Sequence, residues 1–306
     1  MRVARMAVHG VGGLDDAWTD LTKDRPQPAR LVALVGPPSS GKTRWLQALV
    51  AAKESTAAYG PTPASRSLIA DGQRSAKVTI DWWLDADELA FAGLEGPFHA
   101  SETVFAADKL PRSHADPGLQ AVLGRYDHDP GTSKIDYFPA DRAVPALAPQ
   151  AGALVPRQRT VRLAEGSSKY GALLGCAAEL AFTAEAGWRR LCDLFERLTS
   201  GCRILGGDRS DRVVMFQTRR GDVIDVGRLG HADRMAFIFA TTVTMVGLDR
   251  SVVLVDTPEL HLPPHACAHM IKELMAACPT SQWLVATHDR GTIEMAEALI
   301  DLGERR

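Results

Sequence analysis

"ARLVALVGPPSSGKT", Ala29 to Thr43, decides how the rest of the chain is read. From Leu31 to Val35 every residue is apolar, as expected of a strand buried on both faces of a parallel sheet. The second half, "GPPSSGKT" from Gly36 to Thr43, fits G-x-x-x-x-G-K-[ST] between that strand and a predicted helix from about Lys42 to Ala52. Each residue type there has a physical duty. Gly36 and Gly41 permit tight curvature, and backbone N–H groups of the loop and helix start face an anion. Lys42 meets terminal phosphates, and Thr43 offers a hydroxyl to Mg2+. The candidate nucleotide-binding residues are Gly36, Pro37, Pro38, Ser39, Ser40, Gly41, Lys42, Thr43 and Arg44.

A second stretch, "SVVLVDTPELHLPP" from Ser251 to Pro264, supplies the partner motif. An apolar run ending in a carboxylate is how a buried parallel strand delivers an acid to a metal, so Asp256 joins Thr43 as a candidate Mg2+ ligand. His288 ends the next predicted strand, "WLVATHD", where an imidazole could reach a terminal phosphate or an attacking water.

Composition narrows the remaining classes. The 306 residues are 45% hydrophobic, enough for a sizeable core. With 35 Lys plus Arg against 37 Asp plus Glu, no global charge draws the chain to nucleic acid or an acidic membrane. Five cysteines without a C-x-x-C pair suggest neither a disulfide framework nor a zinc knuckle. No apolar run of membrane-spanning length and no signal-peptide core occur, so the expectation is a cytoplasmic protein.

Strand and helix patterns alternate in the manner of an α/β domain. "AKVTIDWWLDADELAFAG" suggests a strand pair with Val78, Ile80 and Trp82 on one face. Residues 93–159, rich in Pro, Gly, Asp and His, read as an irregular insertion around one strand-like island, "SKIDYFPADR". Helical periodicity covers about 167–198, "RVVMFQTRRGDVIDVG" reads as a hairpin, and a helix is expected over Ala232 to Met245. A helix opening near Pro263 and Pro264, the strand "QWLVATH" and a short helix "TIEMAEALIDL" complete the pattern. His261, His265 and His269 recur every four residues but read as a polar helix face rather than a metal set. Trp82 and Trp83 read as packing.

Taken together, the phosphate loop, "VDTPELHLPP" and "ATH" resemble the ATP-binding-cassette heads of the SMC, RecF and OLD-nuclease group. There the second block commonly reads D-E-P-E-x-x-L-H-P. The resemblance covers about residues 29–53 and 200–300. It implies a P-loop NTPase fold with a mainly parallel sheet, flanking helices, an antiparallel part and a helical lobe. It also implies ATP and Mg2+ sandwiched between two protomers. The signature segment of such heads falls on "GRLGHADRMAF", making Gly230, His231 and Asp233 candidates for contacting the partner's nucleotide. The usual Ser and Gly are replaced by His231 and Ala232, so the match is degenerate. The block departs from the family again at Thr257, where the general base commonly sits; Glu259 is the substitute carboxylate, about 6 to 7 Å further along if the segment is extended. No glutamine linking phosphate to helical lobe is assigned.

The expected organisation is one ATPase head. Its nucleotide-binding lobe spans about 1–110 and 247–306, with the irregular insertion at about 93–159 and a helical lobe over about 146–246. Lys42 and Asp256 lie 214 residues apart and 18 residues follow His288, so neither long coiled-coil arms nor a following nuclease domain is expected. The leading expectation is a dimerising ATP-dependent switch with slow or partner-stimulated hydrolysis, acting with a separate effector protein. DNA-directed defence, repair or mobile-element function, and any nucleic-acid contact, come from the resemblance alone. The alternatives are a non-hydrolysing ATP-bound scaffold and, behind it, the ATPase subunit of a membrane transporter.

Overall fold

A computed structural model describes residues 1–23, 25–60, 65–126, 131–144, 159–208, 213–263 and 265–303. The first strands are β1 (Arg2–His9), β2 (Ala17–Asp20) and β3 (Leu31–Val35), followed by helix α1 (Lys42–Thr56). Next come β4 (Ser75–Trp83), α2 (Ala86–Ala92), β5 (Phe98–Ala106), β6 (Lys109–Ala115), α3 (Pro117–Gly124) and β7 (Ile135–Phe138). Two helices, α4 (Leu173–Thr183) and α5 (Glu185–Leu198), lead into β8 (Arg203–Asp208), β9 (Val213–Gln217), β10 (Val223–Ile224) and α6 (His231–Val246). The remainder is β11 (Val252–Asp256), α7 (Ala266–Ala277), β12 (Gln282–Ala286), α8 (Arg290–Met295) and β13 (Ala298–Asp301).

The apolar strands build a parallel sheet in the order β13-β3-β12-β11-β7. Side chains alternate across it, as pleating requires. Val32, Leu34, Val252, Leu254, Leu284 and Tyr137 enter a cluster shared with α1 and the first antiparallel sheet. Val253, Val255, Trp283, Val285 and Phe138 enter the opposite cluster, shared with α4 to α7. Both faces are covered, which is why these strands read as continuous apolar runs. The first antiparallel sheet has the order β2-β1-β4-β5-β6, and β10-β9-β8 forms the second. Gln282, buried at the start of β12, clamps the large sheets together. Its amide accepts from Val3 N at 2.7 Å and donates to Val3 O and Ala29 O at 2.9 Å each.

Several sequence expectations need correction. "LDADELAFAG" is not a second strand but α2, because Asp85 and Glu88 form a capping box that starts a helix. Residues 93–126, expected to be irregular, hold β5, β6 and α3. The hairpin was disguised by its polar outward positions, since its burial alternates along β5. Residues 127–130 and 145–158 of that expected insertion lie outside the described residues. The helical stretch after 167 breaks at Ala184, where φ is −151°. The expected last helix ends at Met295, and "ALID" becomes β13 with Ala298 and Ile300 buried. α7 begins at Ala266, after His265; Pro264 lies outside the described residues. Val78, Ile80 and Trp82 share a buried face as expected.

The free edge of β7 is sealed by charge. Tyr137 N donates to Arg162 O at 3.1 Å, and the Lys169 ammonium donates to Tyr137 O and, at 2.5 Å, to Arg162 O. Asp136, fully buried on β7, accepts from Arg162 Nη1 and Lys169 Nζ at 3.2 Å each. Burial pushes the Lys169 ammonium down to about 8, with Asp136 pulling it back. Two buried cations thus share one carboxylate. Asp136→Ala leaves both uncompensated and is expected to cost about 3–5 kcal/mol of folding stability, measurable by chemical denaturation.

Candidate functional site

Three strand ends meet at one edge of the parallel sheet. Ala286 pairs with Leu34 on one side and with Asp256 on the other, so the loops after β3, β12 and β11 emerge level with one another. In such sheets ligands bind at the carboxyl ends of the strands.

The loop after β3 is tightly wound, with φ of 141° at Gly36, 63° at Ser39 and 98° at Gly41. A Cβ on Gly36 would lie 2.6 Å from Ser40 Oγ, and one on Gly41 would collide with the Gly13 carbonyl. Lys42 Nζ donates to Gly36 O and Pro37 O, each at 2.9 Å, with Ser40 Oγ at 3.5 Å. All three are neutral oxygens. Burial lowers the Lys42 pKa from the ordinary ammonium value, while Asp256 and Glu259 pull it upward. No side chain caps α1, so the helix presents its first N–H groups and the positive end of its dipole to the loop. Arg44 donates to Ser67 O at 2.9 Å. A cleft of 640 Å³ runs along Ser39 to Arg44 and is walled by Gly12, Gly13, Ile69 and Ala70, a size suited to a small ligand. A wider one of 900 Å³ lies across Pro37 and Pro38, against Leu14 and Asp301.

Asp256 is 1% exposed and faces the same side of the sheet as α1. Its Oδ2 accepts from Thr43 Oγ1 at 2.8 Å, and its Oδ1 accepts from Thr257 Oγ1 at 3.0 Å. Thr257 has φ of 48°, a left-handed conformation that costs a β-branched residue roughly 1–2 kcal/mol. The segment after Asp256 is therefore not extended, as expected from the sequence, but turned, with Leu260 N donating to Thr257 O and Leu262 N to Glu259 O. This turn carries Glu259 to the end of β12. There its Oε2 accepts from Thr287 Oγ1 at 2.8 Å and its Oε1 from His288 N at 2.7 Å. The His288 side chain is exposed beside them. The phosphate loop, Asp256, Glu259 and His288 are thus gathered at one sheet edge.

Gly230 and His231 lie at the start of α6, which no side chain caps. His231 stacks on His261, in the loop after Asp256, with ring centroids 4.7 Å apart. Asp233 is half-buried, which raises its carboxyl pKa. Among the described residues no hydrogen bond joins Gly230, His231 or Asp233 to the Gly36–Arg44 loop. Nor do the described residues hold any group of three or more metal-ligating side chains. His269 instead contacts Arg197 O at 2.9 Å. Trp82 is buried with its indole N–H on Ser101 Oγ at 3.0 Å.

Sequence reading missed Arg142. It follows β7, is 5% exposed, and donates to Asp256 O at 2.6 Å and to Thr257 O at 2.9 Å. The only signal was the strand-like island ending in "FPADR". No family model matches the chain, and no curated protein sequence matches it either. Solved structures do. An SMC head bound to the C-winged helix domain of ScpA matches at TM-score 0.63 and 12% identity, over 98% of this chain and 93% of that one. The SMC head domain from Thermotoga maritima matches at 0.55 and 12%, over 98% and 94%. An Smc head domain with an extended coiled coil, bound to the C-terminal domain of ScpA and derived from Pyrococcus furiosus, matches at 0.63 and 13%, over 98% and 92%. The chain therefore has the fold of an SMC-type ATPase head. Among the described residues no helix is long and apolar enough to cross a membrane.

The loop geometry makes its own prediction. Gly41→Ala places a side chain at positive φ and against Gly13, so the unfolding free energy is expected to fall by about 1–3 kcal/mol in a denaturant titration.

Proposed function

We propose that this chain is a nucleotide-dependent switch: an ATPase head that binds ATP with Mg2+, pairs with a second copy around it, and signals to a separate effector protein. The observation that carries the reading is the 2.8 Å hydrogen bond between Thr43 and Asp256, which brings two sequence-distant motifs to one point. A helix-start hydroxyl beside a buried carboxylate is a hard oxygen donor set that fits Mg2+, with Thr43 and Asp256 as its holders. Bound there, Mg2+ supplies neutralising charge to the phosphates. Lys42 fits the same role, because its described partners are neutral oxygens that a phosphate outcompetes. Residues Gly36 to Arg44 and the uncapped α1 complete the cradle.

The effector is supported by the likeness to SMC heads solved with ScpA bound. Pairing of two copies is supported by the exposed start of α6, where Gly230, His231 and Asp233 would meet the partner's nucleotide. The lobe division, 1–110 with 247–306 against about 146–246, is supported by the packing of α4, α5 and α6 in one hydrophobic cluster and of α1 with the first antiparallel sheet in the other, although α7 of the first lobe shares the cluster of α4 to α6. A cytoplasmic setting is supported by five free cysteines. DNA-directed defence, repair or mobile-element biology rests on the motif resemblance.

Hydrolysis in this reading is slow. Thr257 cannot accept a proton at neutral pH, and Glu259, oriented by Thr287 and His288, is the carboxylate that takes over. The same threonine favours a second reading, a scaffold that holds ATP without turning it over.

Nucleotide titration, turnover and size measurement separate these readings. Wild type is expected to bind ATP, to form a dimer only with ATP and Mg2+, and to turn over slowly. Lys42→Ala is expected to weaken binding by about tenfold or more. Glu259→Gln is expected to remove the residual turnover. Brisk turnover that survives Glu259→Gln sinks the slow switch, and a monomer under every condition sinks the pairing.

A further inference from the structure

Arg142 is a buried cation whose described partners are all main-chain oxygens. Nη1 donates to Pro139 O and Asp256 O at 2.6 Å each, with Phe138 O at 3.5 Å, and Nη2 donates to Thr257 O at 2.9 Å. Its Nε is buried without a partner. None of those partners is a carboxylate, and an unpaired buried charge is expensive to keep. Burial lowers its pKa, while the nearby Asp256 and Glu259 carboxylates pull it back up without a direct hydrogen bond. A charge held at that cost, just after the strand next to β11, calls for a role at the site.

The accepting carbonyls define the role. In an extended strand successive carbonyls point to opposite sides. The left-handed turn at Thr257 brings those of Asp256 and Thr257 to one guanidinium, whose planar fork spans both. The guanidinium is walled by the Phe239 ring of α6, with its central carbon 5.5 Å from the ring centroid. Phe239 in turn packs on Phe138 at 4.6 Å, which fixes the floor beneath the arginine. The turn is where the chain would relax first, because threonine gains by leaving positive φ.

We propose that Arg142 is the positioning residue for the metal-binding acid: its fork holds the strained turn at Thr257, and that turn aims the Asp256 carboxylate at Thr43. This rests on the nucleotide-binding reading above. Arg142 is not among the residues lining the cleft at the phosphate loop, and its hydrogen bonds go to main-chain oxygens, so its loss is expected to act on the Mg2+-dependent part of nucleotide affinity and to spare the rest.

The test compares ATP affinity in EDTA and in Mg2+ for wild type, Arg142→Met, Arg142→Lys and the double variant Arg142→Met with Thr257→Gly. In EDTA all are expected to bind within about twofold of wild type, whereas the gain on adding Mg2+ falls about tenfold or more in Arg142→Met. Arg142→Lys keeps the charge without the fork and recovers part of the gain. Glycine adopts positive φ freely, so Thr257→Gly restores much of the gain in the double variant. A gain that is unchanged in Arg142→Met, an equal loss with and without Mg2+, or a double variant no better than the single one overturns the proposal. Should Arg142→Met fail to fold by circular dichroism, Arg142→Lys with and without Thr257→Gly decides by the same comparison. Absence of ATP binding by wild type in either condition is a separate outcome that overturns the nucleotide reading itself.

Discussion

Three parallel strands end level with one another, and the chemistry at the sheet edge depends on that alignment. Leu34, Ala286 and Asp256 stand side by side across β3, β12 and β11. Because strand side chains alternate with period two, Asp256 reaches the α1 side only in this register. A slip of one residue would send the carboxylate toward the opposite core and present Val255 or Thr257 to Thr43. β11 is apolar on both faces, with Val253 and Val255 in one cluster and Val252 and Leu254 in the other, so the residue that resists the slip is Asp256 itself, whose charge would be buried in an apolar core without Thr43.

The same sheet shows two ways of handling buried positive charge. At the β7 edge, Asp136 offsets Arg162 and Lys169, and the group serves to close unpaired backbone. Around Arg142 the hydrogen-bond partners are a ring of carbonyl dipoles, with the Asp256 and Glu259 carboxylates acting only at longer range, and this ring leaves the cation's geometry sharply defined. Lys42 has a similar shell of loop carbonyls. The difference is exposure: Lys42 lies at the mouth of a cleft and can exchange its oxygens, whereas Arg142 cannot.

Much of this was legible in the sequence, for identifiable reasons. Strands β3, β11 and β12 are buried on both faces, so their apolar runs and the motifs that end them stand out. β13 was hidden because "EALID" is rich in helix formers, and pairing with β3 overrides that local preference. The β5–β6 hairpin was hidden because only one of its faces is buried. Glu259 was found by its place in a motif, but its partners Thr287 and His288 follow from a turn that one strained residue creates. Arg142 was beyond reach, since no spacing rule connects a side chain to carbonyls 114 and 115 residues downstream.

The position of β3 within its sheet also sets an order of events in time. Both of its neighbours, β12 and β13, lie roughly 250 residues further along the chain. While the polypeptide is being made, β3 is available early but has bare edges on both sides, and such edges invite wrong pairings. The anion cradle cannot be assembled step by step as the chain emerges; it is completed when the last strands slot in around the first. Competence of the loop is therefore a late event in the life of each molecule, and half-made chains carry its residues without its shape.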